Sequence, residues 1–231
     1  KQANQITSVK NTNKGQVKPF TDATGAAGLD FEHRTSDWLN RQLRSFIKTD
    51  KQSGIITIPP AFGGSGVAVE DVNNDGFIDV LLLGGRGNQL FLGSSDGVFA
   101  KVTEQAGLVW KREQDNQPGE VRQPIIADIN NDGLQDIIIT YVNDTHRVYK
   151  NLGNARFKDV SGIANLGGIG LVGGPATVFD FDNDGDLDVY ITYFGNYITG
   201  DLPTLERRNT NGKPNQLFEN KGGFKFENVS K

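Results

Sequence analysis

Hydrophobic positions along the chain fall in short runs separated by polar, glycine-containing turns, and the order of those runs repeats. From residue 66 onward three segments align. The first reads GVAVEDVNNDGFIDVLLL, then NQLFLGSSDGVFAKVTEQAGL. The second reads PIIADINNDGLQDIIITYV, then HRVYKNLGNARFKDVSGIANL. The third reads ATVFDFDNDGDLDVYITYF, then NQLFENKGGFKFENVS. A β-branched or apolar run opens each repeat (Val67–Val69, Ile125–Ile126, Thr177–Phe179) and enters an aspartate-rich loop. A second apolar run follows (Val80–Leu83, Ile137–Tyr141, Val189–Tyr193), then a third carrying Leu90–Phe91, Val148–Tyr149 or Leu217–Phe218. A glycine turn leads to a fourth run holding Phe99, Phe157 or Phe226.

The leading aspartates fall at 71, 128 and 180, so the periods are 57 and 52 residues. Short β-branched and aromatic runs with turns between them predict strands. Four strands in a period of about 50 residues predict the blade of a β-propeller. The fold class is therefore all-β, with four-stranded blades over 66–108, 121–166 and 173–231. Three blades are fewer than the usual minimum of about four. The expectation is a part of a larger propeller, or a ring completed by a partner or by residues 30–65. Residues 20–29 echo residues 99–108 (Phe-Thr-Asp-Ala-Thr-Gly-Ala-Ala-Gly-Leu against Phe-Ala-Lys-Val-Thr-Glu-Gln-Ala-Gly-Leu) and read as a blade's last strand. Residues 1–19 are polar and aperiodic and read as a flexible lead-in. Ser36 as cap, with Leu39, Leu43, Phe46 and Ile47 on one face, predicts a helix over 36–47 that covers part of the fold.

The aspartate loops carry the chemistry. Loop one is Asp71, Asn73, Asp75, Phe77 and Asp79 at positions one, three, five, seven and nine. Loop two is Asp128, Asn130, Asp132, Leu134 and Asp136, and loop three is Asp180, Asp182, Asp184, Asp186 and Asp188. Positions one, three, five and nine offer side-chain oxygens, and position seven offers a carbonyl. Gly76, Gly133 and Gly185 at position six permit a sharp turn. Carboxylates crowded in this way repel unless a cation lies among them. Oxygen donors without His or Cys point to Ca²⁺ rather than a transition metal, and a many-carboxylate loop suits Ca²⁺ better than Mg²⁺. The expectation is three Ca²⁺ sites, the third the tightest because it has an extra carboxylate. An EF-hand would need a bidentate Glu at position twelve, where Leu82, Ile139 and Ile191 stand in strand sequence. The loop thus joins two strands.

Composition narrows the rest. The net charge of −4 gives no basic footprint for nucleic acid. With no cysteine, disulfides and thiolate metal sites are excluded. No apolar stretch has the length of a membrane span. The only histidines are His33 and His146. His146 reads as a surface or strand residue rather than a catalytic base, and His33 as a loop hydrogen-bonder or a pocket residue. Arg207-Arg208 reads as a solvated charge pair, and Tyr193, Phe194 and Tyr197 as strand packing.

These residues resemble the FG-GAP/VCBS repeats of integrin-α-like propellers. Phe62-Gly63-Gly64-Ser65-Gly66 and Gly173-Gly174-Pro175-Ala176 stand where that repeat has its glycine-rich segment. The phrase Asn-x-Leu-Phe-x-(Asn/Gly), followed by Val-Thr-x-x-Ala-Gly-Leu, is closer still to the cartilage acidic protein and ASPIC/UnbV-type group. Gln123-Pro124 departs from the glycine-rich pattern, and residues 195–214 form an insertion. The resemblance implies a non-catalytic calcium-binding module, extracellular, on the cell surface or periplasmic. It would serve adhesion, protein–protein interaction or assembly, with a protein or glycan partner met by residues 195–214. The alternative is a calcium-stabilised propeller enzyme acting on polysaccharide.

Overall fold

The computed structural model describes residues 20–36, 49–50, 54–55, 66–195 and 212–230. The expected helix lies outside these residues except for Ser36, as do residues 1–19, most of 195–214, Tyr197 and Arg207-Arg208. A short hairpin, β1 (Thr49–Asp50) with β2 (Gly54–Ile55), precedes three antiparallel four-stranded sheets. The first sheet is β3 (Val67–Glu70), β4 (Asp79–Leu82), β5 (Gln89–Leu92) and β6 (Ala100–Lys101). The second is β7 (Val121–Ala127), β8 (Asp136–Tyr141), β9 (Arg147–Asn151) and β10 (Phe157–Asp159). One helical turn, α1 (Ser161–Ala164), leads to the third: β11 (Val172–Phe179), β12 (Asp188–Phe194), β13 (Gln216–Asn220) and β14 (Phe226–Asn228). Strand order follows chain order in each sheet, as the repeat predicts.

Period-two side-chain alternation explains how the sheets stack. In β8, Ile137, Ile139 and Tyr141 join Leu81, Leu83 and Leu90 in a core between the first and second sheets. Ile138 points the other way, into a second core with Val189, Ile191, Tyr193 and Phe218. Every residue of β8 is accordingly buried, and the second sheet is covered on both faces. Trp110, in the linker between the first two sheets, meets Tyr141 edge-on at 4.9 Å and carries the Arg147 guanidinium 4.0 Å over its ring.

Gln123-Pro124 proves harmless to the sheet. The register of β7 on β8 shifts between Val121 and Pro124, and that of β11 on β12 shifts between Gly173 and Ala176. Both irregularities fall at a proline, where a bulge removes the need for an N–H in the ladder. Gly66, at the start of β3, is required for a different reason. A Cβ there would stand 2.5 Å from Pro124 Cδ and 2.9 Å from Leu83 Cδ1.

Residues 20–29 form no strand, which corrects their reading as a blade's last strand; residues 24–29 instead repeat the turn at 103–108. Leu29 N–H donates to Thr24 O, and Leu108 N–H to Thr103 O, each at 3.1 Å. Gly28 and Gly107 both have left-handed φ, 76° and 80°. Phe99 N–H then donates to Ala27 O as Phe157 N–H does to Ala106 O, at 2.8 Å in both cases. The first sheet therefore receives this turn as the second sheet receives residues 103–108. Among the described residues, no helix is long and apolar enough to cross a membrane.

Candidate metal loops

Each aspartate loop joins the first two strands of a sheet, and all three use the same hydrogen bonds. The carboxylate at position one accepts from the N–H of position five at 3.1, 3.0 and 3.1 Å in loops one to three. Its other oxygen accepts from the glycine N–H at position six, at 2.7, 2.8 and 3.0 Å. Position five accepts from position seven, at 2.9, 3.1 and 2.9 Å. The glycines have φ of 88°, 83° and 92°, the left-handed region in which a Cβ is strained. Asn74, Asn131 and Asn183 at position four are left-handed too, with φ of 59°, 58° and 63°. Asparagine tolerates this region better than most residues, and its recurrence at position four is a signal that the reading of ligand types alone passes over.

Position nine differs in kind, because Asp79, Asp136 and Asp188 are buried. One oxygen of each accepts from the N–H of position two: Val72 at 2.9 Å, Ile129 at 3.1 Å and Phe181 at 3.0 Å. The other accepts from the end of the third strand: Gly93 at 2.9 Å, Asn151 at 2.7 Å and Asn220 at 2.8 Å. Burial pushes the Asp136 carboxyl up to about 6 despite the amides of Asn151 and Ile129, and Asp132 and Asp128 add repulsion. Burial raises Asp79 as well, against the Gly93 and Val72 amides and with repulsion from Asp75 and Asp71.

The loops are not equal as donor sets. In loop three, carboxylate oxygens of Asp180, Asp182 and Asp188 lie within 4.8 Å of one another. Oxygens on opposite sides of a calcium ion stand about 4.6–5.2 Å apart, so this spacing fits a hard cation. Asp184 and Asp186 stand outside that group. In loops one and two, Asn73 and Asn130 instead donate to Asp75 and Asp132 at 2.9 Å. Lys150 also pairs with Asp132 at 3.1 Å. All the donors are oxygens that keep lone pairs beyond the hydrogen bonds they accept. They suit Ca²⁺ or Mg²⁺.

His146 is fully buried, which corrects its reading as a surface residue. Its Nδ1 accepts from Tyr141 N–H at 3.0 Å. His33 is exposed and bonds Leu83 O through Nδ1 at 3.3 Å, which makes it a loop hydrogen-bonder. Gly93-Ser94-Ser95-Asp96-Gly97 has the spacing of a nucleophile elbow. It joins two antiparallel strands, however, and an elbow needs a strand-to-helix turn. Tyr193 is buried in the second core.

The chain is similar to several known proteins. The model of the FG-GAP-like repeat family matches residues 128–191, from the start of loop two into β12. Human cartilage acidic protein 1 is 31% identical over 134 residues, which cover 55% of this chain and 19% of that protein. The Xenopus tropicalis protein of the same name is 30% identical over the same shares. The match thus spans only a small part of these relatives. Among solved structures, an Agrocybe aegerita lectin, titled for its recognition of non-reducing terminal N-acetylglucosamine, matches 70% of this chain and 36% of that chain. It does so at 18% identity and a TM-score of 0.38, too slight to carry an argument. Residues 128–191 match the FG-GAP-like repeat family, and the chain is similar to cartilage acidic protein 1 over 55% of its length, as the resemblance in its sequence implied.

Proposed function

We propose that this chain is a calcium-stabilised part of a β-propeller that works by binding, without catalysis, outside the cytoplasm. The observation that carries the reading is the cluster of Asp180, Asp182 and Asp188 in a hairpin whose bond pattern recurs in two further loops. The calcium ligands in this reading are those of the sequence: Asp71, Asn73, Asp75, Phe77 and Asp79, with their counterparts in loops two and three. Bound calcium supplies the positive charge that the crowded carboxylates lack. The chain's own residues shape the loop and hold the ninth carboxylate in place. Several separate calcium loops suit a millimolar-calcium environment, which supports an extracellular, cell-surface or periplasmic setting.

Burial supports continuation of the blade array. Position two is 1% exposed in loops one and two, where Val72 and Ile129 lie under the next sheet. In loop three Phe181 is 37% exposed, and Phe179, two residues before it, is 42% exposed on the face of the third sheet opposite Val178. A further blade, of this protein or a partner, would cover that side. The partner role itself rests on family likeness, with residues 195–214 as the candidate contact segment.

Calorimetric titration of the metal-free chain with Ca²⁺ tests the reading. Three oxygen-only sites are expected, with loop three the tightest and Mg²⁺ weaker at each. A flat titration, with a melting temperature indifferent to EGTA, overturns it.

A further inference from the structure

Two asparagines connect the loops to one another. Asn151 ends β9 and Asn220 ends β13, and both are buried. The side-chain amide of Asn151 donates to Gln135 O in its own loop and to Val72 O in the preceding loop, each at 2.8 Å. Asn220 repeats this with Leu187 O at 3.1 Å and Ile129 O at 3.0 Å. Their Oδ1 atoms accept from Gly153 and Gly222 N–H, at 2.8 and 3.0 Å. Every polar group of both side chains is thereby satisfied.

The same residues touch the ninth carboxylates. Asn151 N–H donates to Asp136 Oδ1, and the other oxygen of Asp136 holds Ile129 N–H. Ile129 O in turn receives Asn220, whose N–H holds Asp188. At the other end, Asp79 holds Val72 N–H, and Val72 O receives Asn151. One run of bonded groups therefore passes from Asp79 to Asp136 to Asp188. In the first sheet the equivalent residue is Gly93, which keeps the N–H bond to Asp79 but has no amide to extend.

We infer that Asn151 and Asn220 are positioning residues that couple neighbouring loops, so that a cation at one loop raises the affinity of the next. The inference rests on the calcium reading above. A cation that fixes the ninth carboxylate of loop one also fixes Val72, and through Asn151 it orders Gln135 and Asp136 in loop two. Coupling of this kind is a free energy shared between sites and is reciprocal. Loops two and three have a second bridge, from Asn131 Nδ2 to Asp186 Oδ1 at 2.8 Å. The junction of loops one and two therefore isolates the asparagine.

The test is calcium calorimetry on the full chain with loop three disabled by D180N and D182N, so that loops one and two alone titrate. Disabling loop one with D71N is expected to weaken calcium at loop two by about fivefold or more, the low end of ordinary coupling. In N151G the same D71N change should leave loop two unaltered. Melting in EGTA checks that N151G folds; if it does not, N151S replaces it, since a serine hydroxyl cannot reach both carbonyls. A merely structural Asn151 would lower both affinities and leave the dependence on loop one intact. That outcome, or no effect of D71N on loop two, overturns the inference while calcium binding stands. No calcium uptake by the unaltered chain overturns both readings.

Discussion

The hydroxyl of Tyr193 lies 3.2 Å from His146 Nε2, across the junction of the second and third sheets. Because His146 Nδ1 accepts from the Tyr141 amide, the ring's proton sits on Nε2 and is donated to Tyr193. A second proton on Nδ1 would face that amide, and burial holds the imidazole well below its ordinary 6.5, at about 3. Below pH 6.5 the unfolded chain takes up a proton that the folded chain refuses. Stability from this group is thus whole above 6.5 and falls as pH drops toward 3. At pH 5 the loss is about 2 kcal/mol. Urea midpoints at pH 7.5 and 5 should converge in H146Q relative to the unaltered chain.

Asp136 acts with the opposite sign. Its carboxyl is raised from 3.8 to about 6, so its contribution to the metal-free chain is fully present below 3.8 and lost as pH rises through 6. Calcium requires the carboxylate. Uptake at loop two should release about half a proton near pH 6 and almost none near pH 8. Calorimetry in buffers of different ionisation enthalpy reads this number directly. D136N should abolish the release.

Loop three can be removed without touching the hairpin's buried carboxylate. D180N with D182N alters two clustered carboxylates and leaves Asp188 on its two amides. A site held at about a hundred times its dissociation constant adds ~2.7 kcal/mol. That corresponds to roughly 5–11 °C for a chain of this size. The calcium-induced rise in melting temperature should shrink by about that amount in the double variant. Melting in EGTA should stay level or rise slightly, as repulsion is relieved.

Ile138 is fully buried and faces the third sheet. Ile138→Ala leaves a cavity in the core shared by the second and third sheets, so it should cost about 2–5 kcal/mol. Urea denaturation without calcium measures it. A fall below about 1 kcal/mol would mean that the sheets do not pack as described.

The hairpin shape of the loops was legible because its determinants are local. Nine consecutive residues fix the series of oxygen-bearing side chains, and Gly76, Gly133 and Gly185 fix the turn. The four-strand order was legible for the same reason, since period-two alternation and turns are short-range signals. The asparagine bridges were not. Asn151 and Val72 are 79 residues apart and Asn220 and Ile129 are 91, and nothing in either stretch announces its partner. The Asn/Gly alternative at the end of the third strand was visible, but its meaning depended on a neighbouring sheet. His146 read as a surface or strand residue because its polarity suggested water, whereas Tyr141 and Tyr193 satisfy it inside. Pro124 looked like a departure until the bulge beside it gave it a place.

The turn that residues 24–29 place on Phe99 fixes where this array can be cut and rejoined. A transplant that begins at β3 or β7 would leave Phe99 or Phe157 without the carbonyl of Ala27 or Ala106. Engineered shortening, lengthening or shuffling should therefore carry each sheet together with the turn before it. The natural seam falls just upstream of that turn, directly after the last strand of the sheet that comes first.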